Sequence, residues 1–439
     1  MTLPQGWVET TIGDTSEAIQ YGLTCTSSRS GGSYRYIRIT DIQNRKIDWN
    51  AVPFADVSSD QAAPYRVEKG DLLFARTGAT VGKSYLVRDL EFDAAFASYL
   101  IKVRCDDRII SREFAASYFQ SPRYWEQILD GSEGTGQPNF NGSKLAKLII
   151  DLPPVSEQRR IVAKLDALTI RLARARGDLE RVMILARRLR SEVLSRCLSE
   201  HEAATPLGDL LTGIEAGKNL RCEERPPRLG ERGVVKVSAV TWGRFDAQQS
   251  KTLPHDYTPP DAAKIRAGDL LISRANTLEL VGATVLVEEE PNELYLSDKI
   301  LRLVMPDADK RWVMWFLRSQ AGRREIELRA TGNQLSMRNI SQGALRDIPI
   351  PYPDADVRKA GVEMIEAAFA RADRLEAEAT RARALLDRLE AAILAKAFRG
   401  ELVPQDPNDE PVSVLLDRIR AERAAAPKPK RGRACKAVS

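Results

Sequence analysis

Gly70-Asp71-Leu72-Leu73-Phe74-Ala75-Arg76-Thr77 returns further along the chain as Gly268-Asp269-Leu270-Leu271-Ile272-Ser273-Arg274-Ala275. The second run starts 198 residues after the first. The same offset pairs Ile37-Arg38-Ile39-Thr40 with Val235-Lys236-Val237-Ser238, and Tyr118-Phe119-Gln120-Ser121 with Phe316-Leu317-Arg318-Ser319. It also pairs Asp48 with Asp246 and Leu152-Pro153 with Ile350-Pro351. A constant offset over many scattered matches signals an internal duplication. Two copies of one domain carry two similar sites at a fixed spacing, which suits a ligand that itself has two parts.

Each copy reads as β-rich with some helix. Short apolar runs such as Tyr36-Ile37-Arg38-Ile39, Asp71-Leu72-Leu73-Phe74-Ala75 and Leu100-Ile101-Lys102-Val103 are punctuated by Gly and Asn, the signature of short strands. A helix is expected from Arg112 to Leu129, with Phe114, Tyr118, Trp125 and Ile128 on one face.

Between the copies the pattern changes. Ile161, Leu165, Leu168, Leu172, Ala175, Leu179, Val182, Ala186, Leu189 and Val193 recur at spacings of four and three, which is a heptad seam. Ser156 is a candidate N-cap after Pro153-Pro154. A second seam follows the second copy, through Ile365, Ala368, Ala372, Leu375, Ala379, Ala382, Leu386, Leu389 and Ile393. Neither helix can bury its seam alone, and the simplest partner is the other one. The blocks are therefore domain 1 (1–155), helix 1 (156–200), domain 2 (201–354), helix 2 (355–400) and a C-terminal extension (401–439). The extension carries a candidate short helix from Val412 to Arg423 and ends in a basic stretch from Ala424, expected to be disordered. The fold class is α+β: two duplicated β-rich domains joined by two long helices in an antiparallel coiled coil, with pseudo-two-fold symmetry.

Composition narrows the function. The 439 residues are 43% hydrophobic and 29% charged, with a formal net charge of +5. That mild basicity permits nucleic-acid binding without demanding it. No run of 18 apolar residues occurs, so no membrane span is expected. The start, Met1-Thr2-Leu3-Pro4-Gln5-Gly6-Trp7, lacks a basic segment followed by an apolar one, so no secretory signal is expected. Five scattered cysteines form no CxxC, which fits reduced thiols in a cytoplasmic setting. With only His201 and His255, a zinc site is not expected. Catalytic motifs are missing. Gly78-Ala79-Thr80-Val81-Gly82-Lys83-Ser84 ends like a phosphate loop, but Thr77 stands where the first glycine belongs. There is no GxSxG, no HExxH and no amino-methyltransferase motif around Pro153-Pro154 or Pro351-Tyr352.

Binding is the better reading. Arg76 and Thr77, with Lys83 closing the same loop, follow the strand ending at Phe74; Arg274 and Asn276 follow its twin. Arg suits guanine edges or phosphate and Asn suits adenine edges. The ordinary alternative is a surface turn with an exposed Arg. A second pair of loops carries Gln137, Asn139 and Asn141 in one copy, and Asn333, Gln334, Arg338 and Asn339 in the other. Amides can bond adenine or phosphate, although Gly and Asn also favour turns for conformational reasons alone. Tyr34, Tyr36 and Trp49, near Arg35, Arg38, Arg45 and Lys46, could flank a groove, but core or edge positions are the commoner use of such residues.

Taken together, these residues resemble the DNA-specificity subunit of type I restriction–modification systems. The resemblance rests on the duplicated Gly-Asp-Leu-Leu…Arg block and on Leu152-Pro153-Pro154-x-x-Glu157-Gln158-x-x-Ile161 at the start of the first long helix. It rests also on the second heptad helix and on Ala397-Phe398-Arg399-Gly400-Glu401-Leu402 at its end. It runs from Leu3-Pro4 to about Arg423. It implies two target recognition domains, each reading one half of a bipartite, asymmetric sequence in double-stranded DNA. It further implies a helical spacer that docks two methyltransferase subunits, with restriction/translocase subunits as optional additions. This chain would then be non-catalytic and would hold no cofactor; S-adenosylmethionine, ATP and magnesium would belong to partners. The copies differ where Asp354-Ala355-Asp356 replaces Glu157-Gln158 and where Gln137-Pro138 has no counterpart. Two further hypotheses are a coiled-coil adaptor with duplicated protein-binding domains and a nucleic-acid enzyme with a degenerate site.

Overall fold

The structure is a computed structural model. It describes residues 3–43, 46–132, 139–198, 204–334 and 337–425. The chain divides into two compact units: Met1–Gly177 with Ala382–Ser439, and Asp178–Arg381. The fold is α+β.

In unit one, Ser16–Tyr21, Leu100–Cys105, Leu72–Ala75 and Ser84–Leu86 form a four-stranded antiparallel sheet in that spatial order. Leu72–Ala75 is buried throughout, as expected of an apolar run in a sheet covered on both faces. One face packs on Phe114, Tyr118, Phe119 and Tyr124, which join the core that also takes in Ile161, Leu165 and the C-terminal Leu415, Leu416 and Ile419. The other face, through Leu73 and Ala75, packs on Ile37, Trp49 and Phe96. Tyr36 and Trp49 are thus core residues. A second sheet pairs Ala94–Phe96 parallel to Arg35–Ile37, and Val8–Thr11 closes the domain against Ile149–Leu152.

Unit two has the same central order: Gly213–Ala216, Ile300–Val304, Leu270–Ser273 and Thr284–Leu286. Gly233–Val235 again runs parallel to Leu294–Tyr295, and Ala204–Pro206 pairs with Pro349–Pro351.

The shared Gly-Asp-Leu-Leu run holds this sheet together. Gly70 and Gly268 turn the chain at φ +100° and +84°, where a side chain would be strained. Asp71 then accepts from Glu68 N at 2.8 Å and from Arg104 Nε and Nη2 at 2.9 and 3.0 Å. Asp269 accepts likewise from Arg266 N and lies 2.8 Å from Arg302. In each unit an arginine on the neighbouring strand anchors the acid of the turn.

Four expectations need correction. The helix expected over 112–129 is two, Arg112–Tyr118 and Pro122–Ser132. Pro122 has no N–H to continue the first helix and instead starts the second, with Ser121 Oγ accepting from Tyr124 N at 3.2 Å. The first long helix spans Val155–Leu198, so Ser156 lies inside it and is not the N-cap. Gln158 N already bonds Pro154 O at 2.9 Å, which puts Pro154 at the cap. The second long helix is Ala355–Ala397, and its seam is narrower than two full columns. Ile365, Ala372 and Ala379 are buried, whereas Leu375 and Leu389 are 37% and 49% exposed. In the first helix Ile161, Leu165, Leu172, Ala186 and Val193 are buried, while Leu168, Leu179 and Leu189 are half-covered, as are Leu386 and Ile393 in the second.

The long helices are fastened differently in the two units. In unit one Glu157 accepts from Trp7 Nε1 at 3.0 Å. Gln158 is fully buried, accepting from Ser111 N at 2.8 Å and donating to Ile109 O and Pro153 O at 2.9 and 3.0 Å. In unit two Asp354 and Asp356 are exposed. Arg358 and Tyr352 there hold the buried Asp309, each at 2.9 Å. The C-terminal helix is Val412–Ala425, and the basic stretch beyond it lies outside the described residues.

Candidate nucleic-acid interface

Arg76 leaves the sheet at the end of a buried strand, and backbone bonds fix it on two sides. Its N–H donates to Tyr99 O at 3.0 Å, and its carbonyl accepts from Phe140 N at 2.8 Å. Thr77 forms an antiparallel bridge with Asn139. The two loops singled out in the sequence, 62 residues apart by Arg76 to Pro138, therefore meet at their bases. Phe74 and Phe140 sit beneath them with ring centroids 5.7 Å apart.

The Arg76 guanidinium lies 4.9 Å from the Tyr21 ring centroid, within cation–π range. Its Nε is buried and has no hydrogen-bond partner among the described residues. Tyr21 is held in turn by Gly142 N, which donates to its hydroxyl at 2.7 Å. A Cβ on Gly142 would sit 3.2 Å from that hydroxyl, so glycine keeps the contact close. Tyr21 was not singled out from sequence; its role depends on a residue 121 positions away.

Unit two repeats the arrangement with more backbone pairing. Arg274 N donates to Lys299 O, and Arg274 O accepts from Ile340 N, both at 2.9 Å. Ala275 and Asn276 pair antiparallel with Asn339 and Arg338, and Thr331–Gln334 completes a three-stranded ribbon. Arg338 is half-buried with its Nε unpartnered among the described residues. Asn333 and Gln334 lie on the outer strand of that ribbon.

The remaining candidates are placed less centrally. Lys83 is exposed, and its carbonyl accepts from Ala75 N at 2.8 Å, at the closing end of the Arg76 loop. Asn141 caps the helix Gly142–Ala146 by accepting from Lys144 N at 2.9 Å, so that oxygen is committed to the fold. Asn276 Oδ1 accepts from Thr277 N at 2.8 Å. Gln137 lies outside the described residues.

Next to Arg274, through Lys299, unit two has a cleft of about 380 Å³ lined by Lys218, Lys236, Lys251 and Lys299. Glu224 offsets part of that charge, lying 2.5 Å from Lys251; the ion pair holds the Glu224 carboxyl below its usual range. No group of three or more His, Cys, Asp or Glu suited to a metal occurs among the described residues. The site has cations, amides and an aromatic ring on a rigid base. It is chemically suited to a polyanion with hydrogen-bonding edges.

Comparison with known proteins agrees. The family model for the type I restriction modification DNA specificity domain matches residues 4–180. The type I restriction enzyme EcoKI specificity subunit of Escherichia coli K12 is 25% identical over 458 aligned residues, 97% of each chain. A solved chain from work on complex assembly and conformational transition of the type I R-M system superposes with a TM-score of 0.69 at 22% identity, covering 92% of this chain and all of that one. The HsdS subunit of Thermoanaerobacter tengcongensis gives 0.61 at 20% identity, covering 92% and 99%. Residues 4–180 thus belong to the family of type I restriction modification DNA specificity domains, and nearly the whole chain is similar to type I restriction–modification specificity subunits.

Proposed function

We propose that this chain is the non-catalytic DNA-reading subunit of a type I methyltransferase complex, each unit carrying one target recognition domain for one half of a bipartite, asymmetric site. The observation that supports this most is the duplicated loop pair. In both units an arginine at the end of a buried strand accepts, through its carbonyl, a backbone bond from the second loop. A rigid base under a polar tip is what base reading requires, since each well-placed bidentate contact discriminates by roughly 1–3 kcal/mol. The loops differ in sequence between the copies, as two different half-sites would need.

The long helices set the gap and dock two methyltransferase subunits. Ion pairs inside each unit support an antiparallel, pseudo-symmetric arrangement. Arg176 meets Asp387 and Glu390 at 2.7 and 2.6 Å. Arg190, 14 residues on, meets Asp373 and Glu376, 14 residues back. Joining two weak readers makes the second contact effectively intramolecular. S-adenosylmethionine, ATP and magnesium act on partner subunits, in the cytoplasm of the cell; restriction/translocase subunits can join. The adaptor reading gives no reason for amide- and arginine-bearing loops in both copies.

The test is a methylation map of cells that co-express this chain with its cognate methyltransferase subunit. Modification confined to one bipartite motif with a constant gap is expected. An assembled complex that modifies no specific sequence would shift the reading to an adaptor.

A further inference from the structure

Away from the loops, unit one contains a cavity of about 140 Å³. It lies between the strand Ser84–Leu86, the helix Arg112–Tyr118 and the long-helix segments of the same unit. Ser117, Gln120, Thr169 and Glu390 form its polar wall, with Leu172 and Ile393 as apolar lining. Gln120 Nε2 donates to Ser84 Oγ at 3.0 Å, and Glu390 is paired with Arg176.

The internal repeat identifies the same place in unit two. The 198-residue offset that aligns Phe114 with Trp312 and Tyr118 with Phe316 also aligns Ser117 with Trp315. The long helices start at Val155 and Ala355, 200 residues apart, which aligns Thr169 with Phe369 and Arg190 with Glu390. In unit two these residues form a stack. The Trp315 and Phe369 centroids are 4.5 Å apart. Arg190 lies 5.7 Å from the Phe369 ring and Arg318 lies 5.2 Å from the Trp315 ring. So one copy stacks its own indole on Phe369 in this place, its open cleft of about 460 Å³ lying instead against Trp315, Arg318 and Phe245. The other has Ser117 and Thr169 there, and a cavity.

Two further features describe the occupant. The volume is that of a cavity that accepts a single benzene-sized ring. The lining also holds Asp166, Arg88 and the Arg176-paired Glu390, polar groups that favour a ring bearing a hydrogen-bonding hydroxyl over a purely apolar one. In the same unit Ile170, Leu385 and Leu389 of the long helices are 70%, 61% and 49% exposed. Large apolar side chains left in water on helical segments fit a protein partner better than DNA or a small solute.

We propose that this cavity receives a Tyr side chain from a methyltransferase subunit docked on the long helices. The proposal rests on the function given above and adds an asymmetry to it. One docking position takes a partner's aromatic anchor, whereas the other is already filled by Trp315. Such ring-filled, desolvated pockets are where binding energy concentrates.

The experiment uses the full chain with its cognate methyltransferase subunit, followed by native mass spectrometry and titration. In the double variant Ser117→Trp/Thr169→Phe, which copies the plug of unit two, one methyltransferase subunit is expected to bind as before and the second at least ten-fold more weakly. Two subunits bound at wild-type affinity, with an unchanged melting curve, would overturn the proposal. A milder variant, Thr169→Cys, keeps the cavity and reports on it directly. Maleimide labelling at that peptide is expected in the free chain and protection in the complex; labelling that persists in the complex overturns the proposal. If the wild-type chain binds no methyltransferase subunit, the function proposed above fails, and this inference fails with it.

Discussion

Asp71 shows how one residue can shape a whole domain. It is buried against Arg104, with Lys102 Nζ 3.9 Å away. Burial pushes the Lys102 ammonium below its usual range, against the opposing pull of Asp71. Removing one partner of a buried ion pair leaves an uncompensated charge. Asp71→Ala should therefore cost about 3 kcal/mol, read as a lower urea midpoint with an unchanged slope. Tyr21→Phe makes a contrasting prediction. It removes the hydroxyl that accepts from Gly142 N, costing about 1 kcal/mol, while the ring under Arg76 stays. Half-site discrimination should weaken only modestly, whereas Tyr21→Ala should weaken it strongly in a competition binding assay. Asp106 governs the docking of the C-terminal helix. Hydrogen bonds from Arg108, then from Arg423, lower its pKa from 3.8 to about 2. A carboxylate depressed in the folded state adds stability that is complete above its unfolded pKa and is lost as pH falls through the folded one. Hydrogen exchange in Val412–Ala425 should thus be flat above pH 4 and rise between about pH 4 and pH 2 relative to Asp106→Asn.

At the scale of elements, the heptads and the repeat were legible because they are local or periodic. The same offset that aligns Gly70-Asp71 with Gly268-Asp269 aligns the strand Leu72–Ala75 with Leu270–Ser273, while the neighbouring strand pairs in equivalent register 200 residues on, Leu100 with Ala75 and Ile300 with Ser273. What was not legible depends on distant partners. Gln158 looks like a polar residue on a helix, yet it is buried because Ser111 and Ile109, nearly 50 residues earlier, consume its amide. Pro122 did carry a signal, but the apolar face continues through Trp125 and Ile128 and disguised the break. Leu375 and Leu389 fit the heptad and are nevertheless exposed, whereas the alanine column at Ala372 and Ala379 is buried. Ala372→Leu should overpack that column and cost about 1–3 kcal/mol, measured by thermal melting, whereas Leu375→Lys should be nearly silent. Of the candidate loops, the sequence showed the residues but not that Arg76 and Phe140 are bonded; that needs the fold.

At the scale of the whole molecule, the proposed function has two readers share one scaffold and divide one target between them. Adding one heptad to each long helix lengthens it by about 10 Å at 1.5 Å per residue. The gap in the target should then grow by about three base pairs without changing either half-site. The proposed division of one target between the two loops calls for methylation maps with Arg76→Ala and Arg274→Ala in turn, each co-expressed with the methyltransferase subunit. The account predicts that each variant relaxes one half of the bipartite motif and leaves the other half and the gap intact. If either variant relaxed both halves equally, or neither altered the motif in a fully assembled complex, the division of labour between the two loops would be contradicted.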